Sequence, residues 1–478
     1  MKKIFEFFGS KNFKFNTVAL VMMIVVIVIV IFVNMIGEQL NVIFDMTDDK
    51  MFSIGSQTKT ILSRLENDVD VIFLADENRI KSASETGFWV WNILEKYGEY
   101  PKVNVRYVDP DLNPGIITEL DPDESLSIRK ENIIVRSEGR IRRLTVSDVA
   151  MRGTGGTINF LGEQAITSAI INVTTGKMPV VYFLEGQRQR DLNDEYRILR
   201  SVLESNNFLV RRVNLALDGQ IPDDAEILFV AAPKTDLSAS DRDKLEDYLL
   251  GGGNAIFLFD SMSTDRRLTN FEYLLAKYDL SLNYDRIKET HPSRHLAERP
   301  YDILPDLIES QIFSELNLSD FNLPMPESRS IKLLRNDPEG VNVVPLLTAS
   351  MHAQREPLGT VESEEDLTGG PIDIAVAVEY DGEENSKILV IGNGYFLTDM
   401  SIEEYYPLSQ NGIAFIMSMI GWMYQESSDV FIMPKTNFYD TVTVSGSSAR
   451  IILIFVIFGV PLFIMVLGIT IWLRRRHL

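Results

Sequence analysis

The chain has no cysteine in 478 residues, and that one absence removes disulfides, thiolate metal sites, thiol redox chemistry and cysteine nucleophiles together. It assigns no compartment, because a protein exposed outside a cell can simply avoid cysteine. Histidine is nearly as scarce, at four. His291 and His295 have the spacing of a helical zinc pair, but Pro292 disrupts the helix and stands where a catalytic glutamate would be needed, so both read as loop residues. No Gly-x-Ser-x-Gly elbow is present. Phosphate-cradling glycines are missing too. Gly153-Thr154-Gly155-Gly156-Thr157 has no P-loop lysine after it and reads as a flexible linker, while Gly251-Gly252-Gly253 follows a helix and precedes a strand, so it is a helix stop. Positive charge is in deficit: 46 Lys plus Arg against 68 Asp plus Glu leave a net charge of -22. That argues against a duplex nucleic-acid partner, since phosphate binding needs clustered cations. The acidic pairs, such as Asp48-Asp49 and Asp121-Pro122-Asp123-Glu124, lack the ligand spacing of a twelve-residue calcium loop and read as solvated turns. No metal, cofactor or catalytic residue is expected.

What the chain has is two long uncharged apolar runs. Residues 17–36 (TVALVMMIVVIVIVIFVNMI) reach about 30 Å as a helix, the thickness of a bilayer core. Residues 451–473 (IILIFVIFGVPLFIMVLGITIWL) form the second run, whose Pro461 is tolerable in lipid where neighbouring groups satisfy the freed carbonyl. A cleaved signal peptide is the rival reading of the first run, but the run is too long and no small-x-small site closes it. Lys2, Lys3, Lys11 and Lys14 precede the first span and Arg474, Arg475 and Arg476 follow the second, so both termini are expected in the cytoplasm. Residues 37–448 then form an extracytoplasmic head with 38 Lys plus Arg against 67 Asp plus Glu. Its negative charge suits solubility and repulsion from anionic headgroups; capture of a cationic ligand is the sharper alternative.

The expected organisation is a cytoplasmic segment (1–16), a span (17–36), a first α/β unit (37–150), a linker and helix (151–177), a second α/β unit (178–430), a membrane-proximal segment (431–450), a span (451–473) and a cytoplasmic tail (474–478). In the first unit, 68–75 reads as a buried strand, 85–97 as an apolar-aromatic helix carrying Trp89 and Trp91, 103–108 as a strand, 116–120 as a short helix, and 132–136 with 140–146 as a hairpin turning at Ser137-Glu138-Gly139. This order resembles thioredoxin-like domains in topology only. Without a Cys-x-x-Cys, such a unit is a binding or packing module.

The second unit reads as strands and helices alternating around a parallel sheet. Residues 179–184 are expected as a central strand, 192–206 as a helix, and 208–213 and 225–232 as strands. A helix over 240–250 and a strand over 254–259 follow. After an irregular region over 286–366 the sheet resumes at 372–379 and 388–391, and a last helix covers 408–424. Ligands of open parallel sheets sit beyond the carboxyl ends of the strands, which makes Glu185, Gln187, Lys234, Asp260, Ser261 and Asn393 the candidate ligand-binding residues. They equally fit ordinary strand-end polar positions, because no charge pair or nucleophile-base pair stands out among them.

Several short motifs occur in a telling order. Asp45-Met46-Thr47 and Met51-Phe52-Ser53-Ile54 follow the first span, with Thr58 beyond; Val108-Asp109-Pro110 follows a strand; Leu249-Leu250-Gly251-Gly252-Gly253-Asn254 leads to Asp260; and Ile391-Gly392-Asn393-Gly394-Tyr395-Phe396 comes near the end. Together with the C-terminal span and basic tail, this series resembles the GldG-like auxiliary proteins of ABC-type transport systems, first named for bacterial gliding motility. That family usually has aspartate or serine where this chain has Asn393 and Gly394. The resemblance implies a non-enzymatic, membrane-anchored subunit that works beside an ATPase and a permease and presents its head to exported or bound material. It also implies a flavodoxin-like or glutamine-amidotransferase-like second unit. Amidotransferases place a cysteine after a central strand, and here Ala231-Ala232-Pro233-Lys234 stands there. The rival functions are a cell-surface enzyme acting on envelope glycans, which would need two carboxylates such as Glu185 and Asp260 across one cleft, and a structural scaffold for another envelope protein.

Overall fold

Alternating apolar positions and tight turns build the first sheet. The computed structural model describes residues 53–152, 158–176, 178–263, 267–310, 321–359 and 370–424, with isolated positions at 25, 28, 29, 32 and 468. No described helix is long and apolar enough to cross a membrane. The two expected spans lie outside the described residues, those isolated positions apart. In chain order the first unit contains α1 (Ser56–Ser63), β1 (Val69–Phe73), α2 (Glu77–Ala83), α3 (Glu85–Gly98), β2 (Val103–Tyr107), α4 (Ile116–Leu120), β3 (Ile133–Ser137), β4 (Arg140–Leu144), α5 (Val146–Val149), β5 (Ala150–Arg152), β6 (Ile158–Phe160) and α6 (Gly162–Thr175).

Strands β1 to β4 form one sheet in the order β2-β1-β3-β4, with β2 parallel to β1, and with β3 antiparallel to both β1 and β4. The β3–β4 hairpin turns through Glu138 and Gly139 at φ of 48° and 82°. Two successive positive φ angles match the right-handed twist of the flanking strands, and glycine at the second position meets that requirement without strain. One sheet face buries Val71, Phe73 and Val135 against α3 and α6. The other buries Ile72, Leu74 and Ile134 against Ile116 and Leu120 of α4.

Helix α6 is buried along nearly its whole length, as a helix packed on several sides must be. Ala165, Ile166, Ala169, Ile170 and Val173 enter the first core. Its polar residues are tied down: Glu163 Oε1 accepts the Gly55 N–H at 2.6 Å, and Tyr97 donates to the Glu163 carbonyl at 2.9 Å. At the far end Asn172 Nδ2 donates to Asn207 Oδ1 at 2.9 Å, across to the second unit.

The second unit contains β7 (Val180–Glu185), α7 (Arg197–Ser205), β8 (Leu209–Asn214), α8 (Leu215–Asp218), β9 (Ala225–Ala231), α9 (Ala239–Leu250), β10 (Asn254–Leu258) and α10 (Thr269–Ala276). A strand-rich segment follows, with β11 (Leu280–Leu282), β12 (Asp285–Lys288), β13 (His295–Leu296), β14 (Arg299–Ile303), β15 (Asp306–Leu307), β16 (Met325–Pro326), β17 (Ile331–Leu333), β18 (Val341–Ala349) and β19 (Gln354–Pro357). The chain then forms β20 (Ile372–Asp381), β21 (Asn385–Ile391), α11 (Asp399–Glu404) and α12 (Gln410–Met423). The main sheet runs β15-β18-β20-β21-β10-β9-β7-β8. Helices cover both faces, so consecutive strand residues are apolar. Phe183, Phe229, Ile256 and Leu389 face α7 and α12, whereas Tyr182, Leu228, Phe257 and Val390 face α9 and α10.

Four sequence expectations are corrected. The sheet is mixed: β8, β7, β9, β10 and β21 run parallel, but β20, β18 and β15 continue antiparallel. β7 is second from the edge, and β9 and β10 hold inner positions. The helix expected from 192 starts at Arg197, because the Asp191 carboxylate takes the N–H groups of Asn193 and Asp194 and holds a turn instead. The region 286–366 is not irregular throughout, since β18 pairs along β20 in spite of Pro345, where the register shifts.

The turn after β21 permits very little. A Cβ on Gly392 would fall 2.1 Å from the Arg329 carbonyl oxygen, and the two backbones cannot simply part, because the Arg329 N–H donates to the Gly392 carbonyl at 2.7 Å. Gly392→Ala is expected to lower unfolding free energy by about 3 kcal/mol, read as a shift of the urea midpoint with unchanged slope.

Candidate functional site

Beyond the carboxyl ends of β9, β10 and β21, three loops meet around one carboxylate. Asp260 Oδ2 accepts from Arg190 Nε at 3.0 Å and Arg190 Nη2 at 2.7 Å, while Oδ1 accepts the Gly394 N–H at 2.9 Å. Arg190 Nη1 donates to Glu195 at 2.7 Å, and its backbone N–H donates to the Ala231 carbonyl at 2.8 Å, which clamps the β7–α7 loop over the end of β9. Tyr196 donates to the Gly394 carbonyl at 2.7 Å. Burial, reinforced by the Asp260 charge, pushes that phenol well above its ordinary pKa, so it stays a donor. Burial works against the Arg190 cation, but Asp260, Tyr196 and Glu195 outweigh it and raise its pKa.

Beside this cluster Arg329 is wholly buried. Its Nε donates to the Asn283 carbonyl at 2.8 Å, its Nη1 to the Asp260 carbonyl at 3.3 Å and its Nη2 again to Asn283, and its guanidinium lies 4.7 Å from the Tyr284 ring centroid. Burial draws its pKa below the ordinary arginine value, partly offset by Tyr284 and Asp285. Ala232, next to Gly394, adopts φ of 52°, a left-handed conformation uncommon for a residue with a Cβ. A Cβ on Gly394 would lie 2.7 Å from that of Ala232 and 3.1 Å from Asp260 Oδ1.

The six sequence candidates fare differently. Asp260 is the hub. Asn393 is buried and fully used: Nδ2 donates to Pro326 O at 2.7 Å and to Ser328 Oγ at 2.9 Å, and Oδ1 accepts the Phe396 N–H at 3.0 Å. Glu185 sits apart, paired with Arg212 at 3.0 Å. Gln187 is buried, and its carbonyl accepts the N–H groups of Lys234 and Thr235; its side-chain Oε1 has no partner among the described residues. Lys234 contributes that backbone link while its side chain is exposed, and Ser261 is half-buried beside Asp260. Sequence reasoning missed Arg190, Tyr196 and Arg329. Only Arg190 left a trace, as a charged residue in the loop just past a candidate strand end.

Chemically the cluster is self-satisfied. Its two carboxylates, Asp260 and Glu195, share the Arg190 guanidinium. Glu185 and Asp260 belong to separate ion pairs, and neither lines the cavity of about 630 Å³ that runs along edge strand β8 between Tyr182, Arg200, Arg211 and Arg212. Among the described residues, no group of three or more His, Asp or Glu is placed to hold a metal ion.

The family described as ABC-type uncharacterized transport system matches residues 178–418. The chain belongs to this family of auxiliary transport components. A domain of unknown function matches residues 48–151. A comparison with curated proteins finds no match. Among solved structures, the chain is similar to the N-terminal domain of mmIFT52 at 15% identity, covering 51% of this chain and 96% of that one, with a TM-score of 0.39. It is similar to a ThuA-like protein from Bacteroides uniformis ATCC 8492 at 12% identity, covering 52% and 94%, with a TM-score of 0.31. A second ThuA-like protein, from Parabacteroides merdae ATCC 43184, is similar at 10% identity over 45% and 79%, with a TM-score of 0.27.

In this ABC transport auxiliary chain Ala232, at φ of 52°, occupies the turn after β9. The Arg329 fork holds carbonyls from two separate loops, a task that a single ammonium on a flexible stem cannot copy. Arg329→Lys is expected to destabilise the chain by about 2–3 kcal/mol, measured by chemical denaturation.

Proposed function

We propose that this chain is a non-catalytic, membrane-anchored accessory subunit of an ABC-type transporter, of the GldG-like kind. In this reading a thioredoxin-like first unit and an amidotransferase-like or flavodoxin-like second unit form an extracytoplasmic head, and the segments 17–36 and 451–473 hold it to the plasma membrane with both termini cytoplasmic. The observation that carries the reading is the family match over the second unit. One sequence feature supports it: the two terminal runs are uncharged and long enough to span a bilayer.

The carboxyl edge of the sheet supports the non-catalytic part. General acid–base work needs a group whose pKa is tuned toward the operating pH and which can reach a substrate proton. Asp260 is instead locked between Arg190 and the Gly394 N–H, and Glu185 is locked to Arg212. ATP hydrolysis is assigned to a partner ATPase, and translocation to a permease against which the two spans dock. The head then presents a surface to extracellular cargo.

Extraction of native membranes in mild detergent and affinity purification of the full chain should bring down a nucleotide-binding ATPase and a polytopic permease in fixed ratio. Recovery of the chain alone under several gentle conditions, with its neighbouring genes co-expressed, would contradict the proposal.

A further inference from the structure

Between the two units lies a polar cavity of about 530 Å³, walled by β4, α5 and α6 of the first unit and by α7 of the second. That volume is in the ~300–1,000 Å³ range of small-ligand sites. The charge state of its lining is unusual for so acidic a chain. Arg142 and Arg143, neighbours on β4, both line it and are half-buried, yet neither side chain makes a hydrogen bond or ion pair with any described residue. Arg140 on the same strand shows the alternative, since its guanidinium is engaged by the Val173 and Thr174 carbonyls at the end of α6.

The carboxylates at the cavity are already committed. Asp148 accepts the Thr145 N–H at 2.7 Å and the Thr145 hydroxyl at 2.8 Å, and Glu204 accepts from Arg200 at 2.8 Å. The cavity along β8 makes the contrast plain. Its arginines are each matched to an acid: Arg200 to Glu204, Arg211 to Asp224 and Arg212 to Glu185. Uncommitted hydroxyls line the inter-unit cavity as well. Ser168 of α6 is only 6% exposed and has no partner among the described residues, and Ser201 stands opposite on α7.

We infer that this inter-unit cavity binds a small polyhydroxylated anion, a sugar bearing a carboxylate or a phosphate, with Arg142 and Arg143 on its charge and Ser168 and Ser201 on its hydroxyls. Guanidinium forks match carboxylate and phosphate geometry with paired charge-assisted hydrogen bonds. The polar lining favours a hydroxyl-rich ligand over an apolar acid. Because α6 and α7 belong to different units, already joined by the Asn172–Asn207 hydrogen bond, a bound ligand bridges both and holds them in one relative orientation. The inference does not rest on the transport reading, since binding is a property of the chain alone.

Isothermal titration calorimetry on the purified full-length chain tests it, with digalacturonate and glucose 6-phosphate as the two acidic probes and lactose and glucose as neutral controls. Saturable binding of at least one acidic probe is expected, and which of the two binds tells carboxylate from phosphate. Arg142→Gln and Arg143→Gln should each weaken it by roughly tenfold or more. Ser201→Asp, at an exposed helical position that tolerates the change, should abolish it by placing a negative charge on the far wall, whereas Arg211→Gln, in the other cavity, should leave it intact. The inference is overturned by failure of both acids to bind at about 10 mM, by equal binding of the neutral sugars, or by unchanged affinity in both Arg142→Gln and Ser201→Asp.

Discussion

The second unit depends on how its parallel strands are closed at their carboxyl ends. Backbone groups emerging there would ordinarily face solvent or a ligand, but here Asp260 collects Arg190 and the Gly394 N–H while Arg329, fully buried, collects two loop carbonyls. Everything nearby follows from this clasp. Gly392 is glycine because its backbone lies against the Arg329 carbonyl, Gly394 because the Ala232 methyl group and the Asp260 carboxylate crowd the place of a Cβ, and Asn393 spends all its polar atoms inside the turn. A charge as costly to bury as that of Arg329 persists only where several acceptors are fixed around it. The strand-rich segment supplies one of them, the Asn283 carbonyl between β11 and β12, and carries Arg329 itself between β16 and β17, while the other, the Asp260 carbonyl, follows β10.

The same clasp explains what the sequence could and could not reveal. Runs with a clear period were legible: α3 with its tryptophans, the β3–β4 hairpin, and the apolar strands β7, β9 and β10 all lie within a few residues of where patterning puts them. Asp260 was legible as a polar residue just past a buried strand. Arg190 and Arg329 were not, because their partners are 70 and 46 residues away and no local pattern encodes a pairing over that distance. The antiparallel half of the sheet was hidden for a different reason: Pro345 interrupts a strand whose pairing is rescued by a register shift. Helix α6 was legible as a helix within the stretch 151–177, but not that its small and branched residues fill the first core while its end reaches the second unit.

Two regions of the head thus do different things. The edge where α/β folds of this layout commonly take ligands is filled by the protein's own charges, whereas the junction between the units leaves two arginines uncommitted. In an auxiliary transport component this division is coherent. The second unit has its carboxyl edge closed by its own hydrogen bonds, and a ligand at the junction would act on the arrangement of two units rather than on one core.

The central claim is that the Arg190–Asp260 contact is a structural clasp and not an idle surface pair. A double-mutant cycle with Arg190→Gln, Asp260→Asn and the double variant, each followed by urea denaturation, tests it most directly. The clasp predicts a coupling energy of at least about 1 kcal/mol, with the double variant much less destabilised than the two single losses combined. Losses that add to within about 0.3 kcal/mol would contradict it and would reopen the carboxyl edge as a site for ligand.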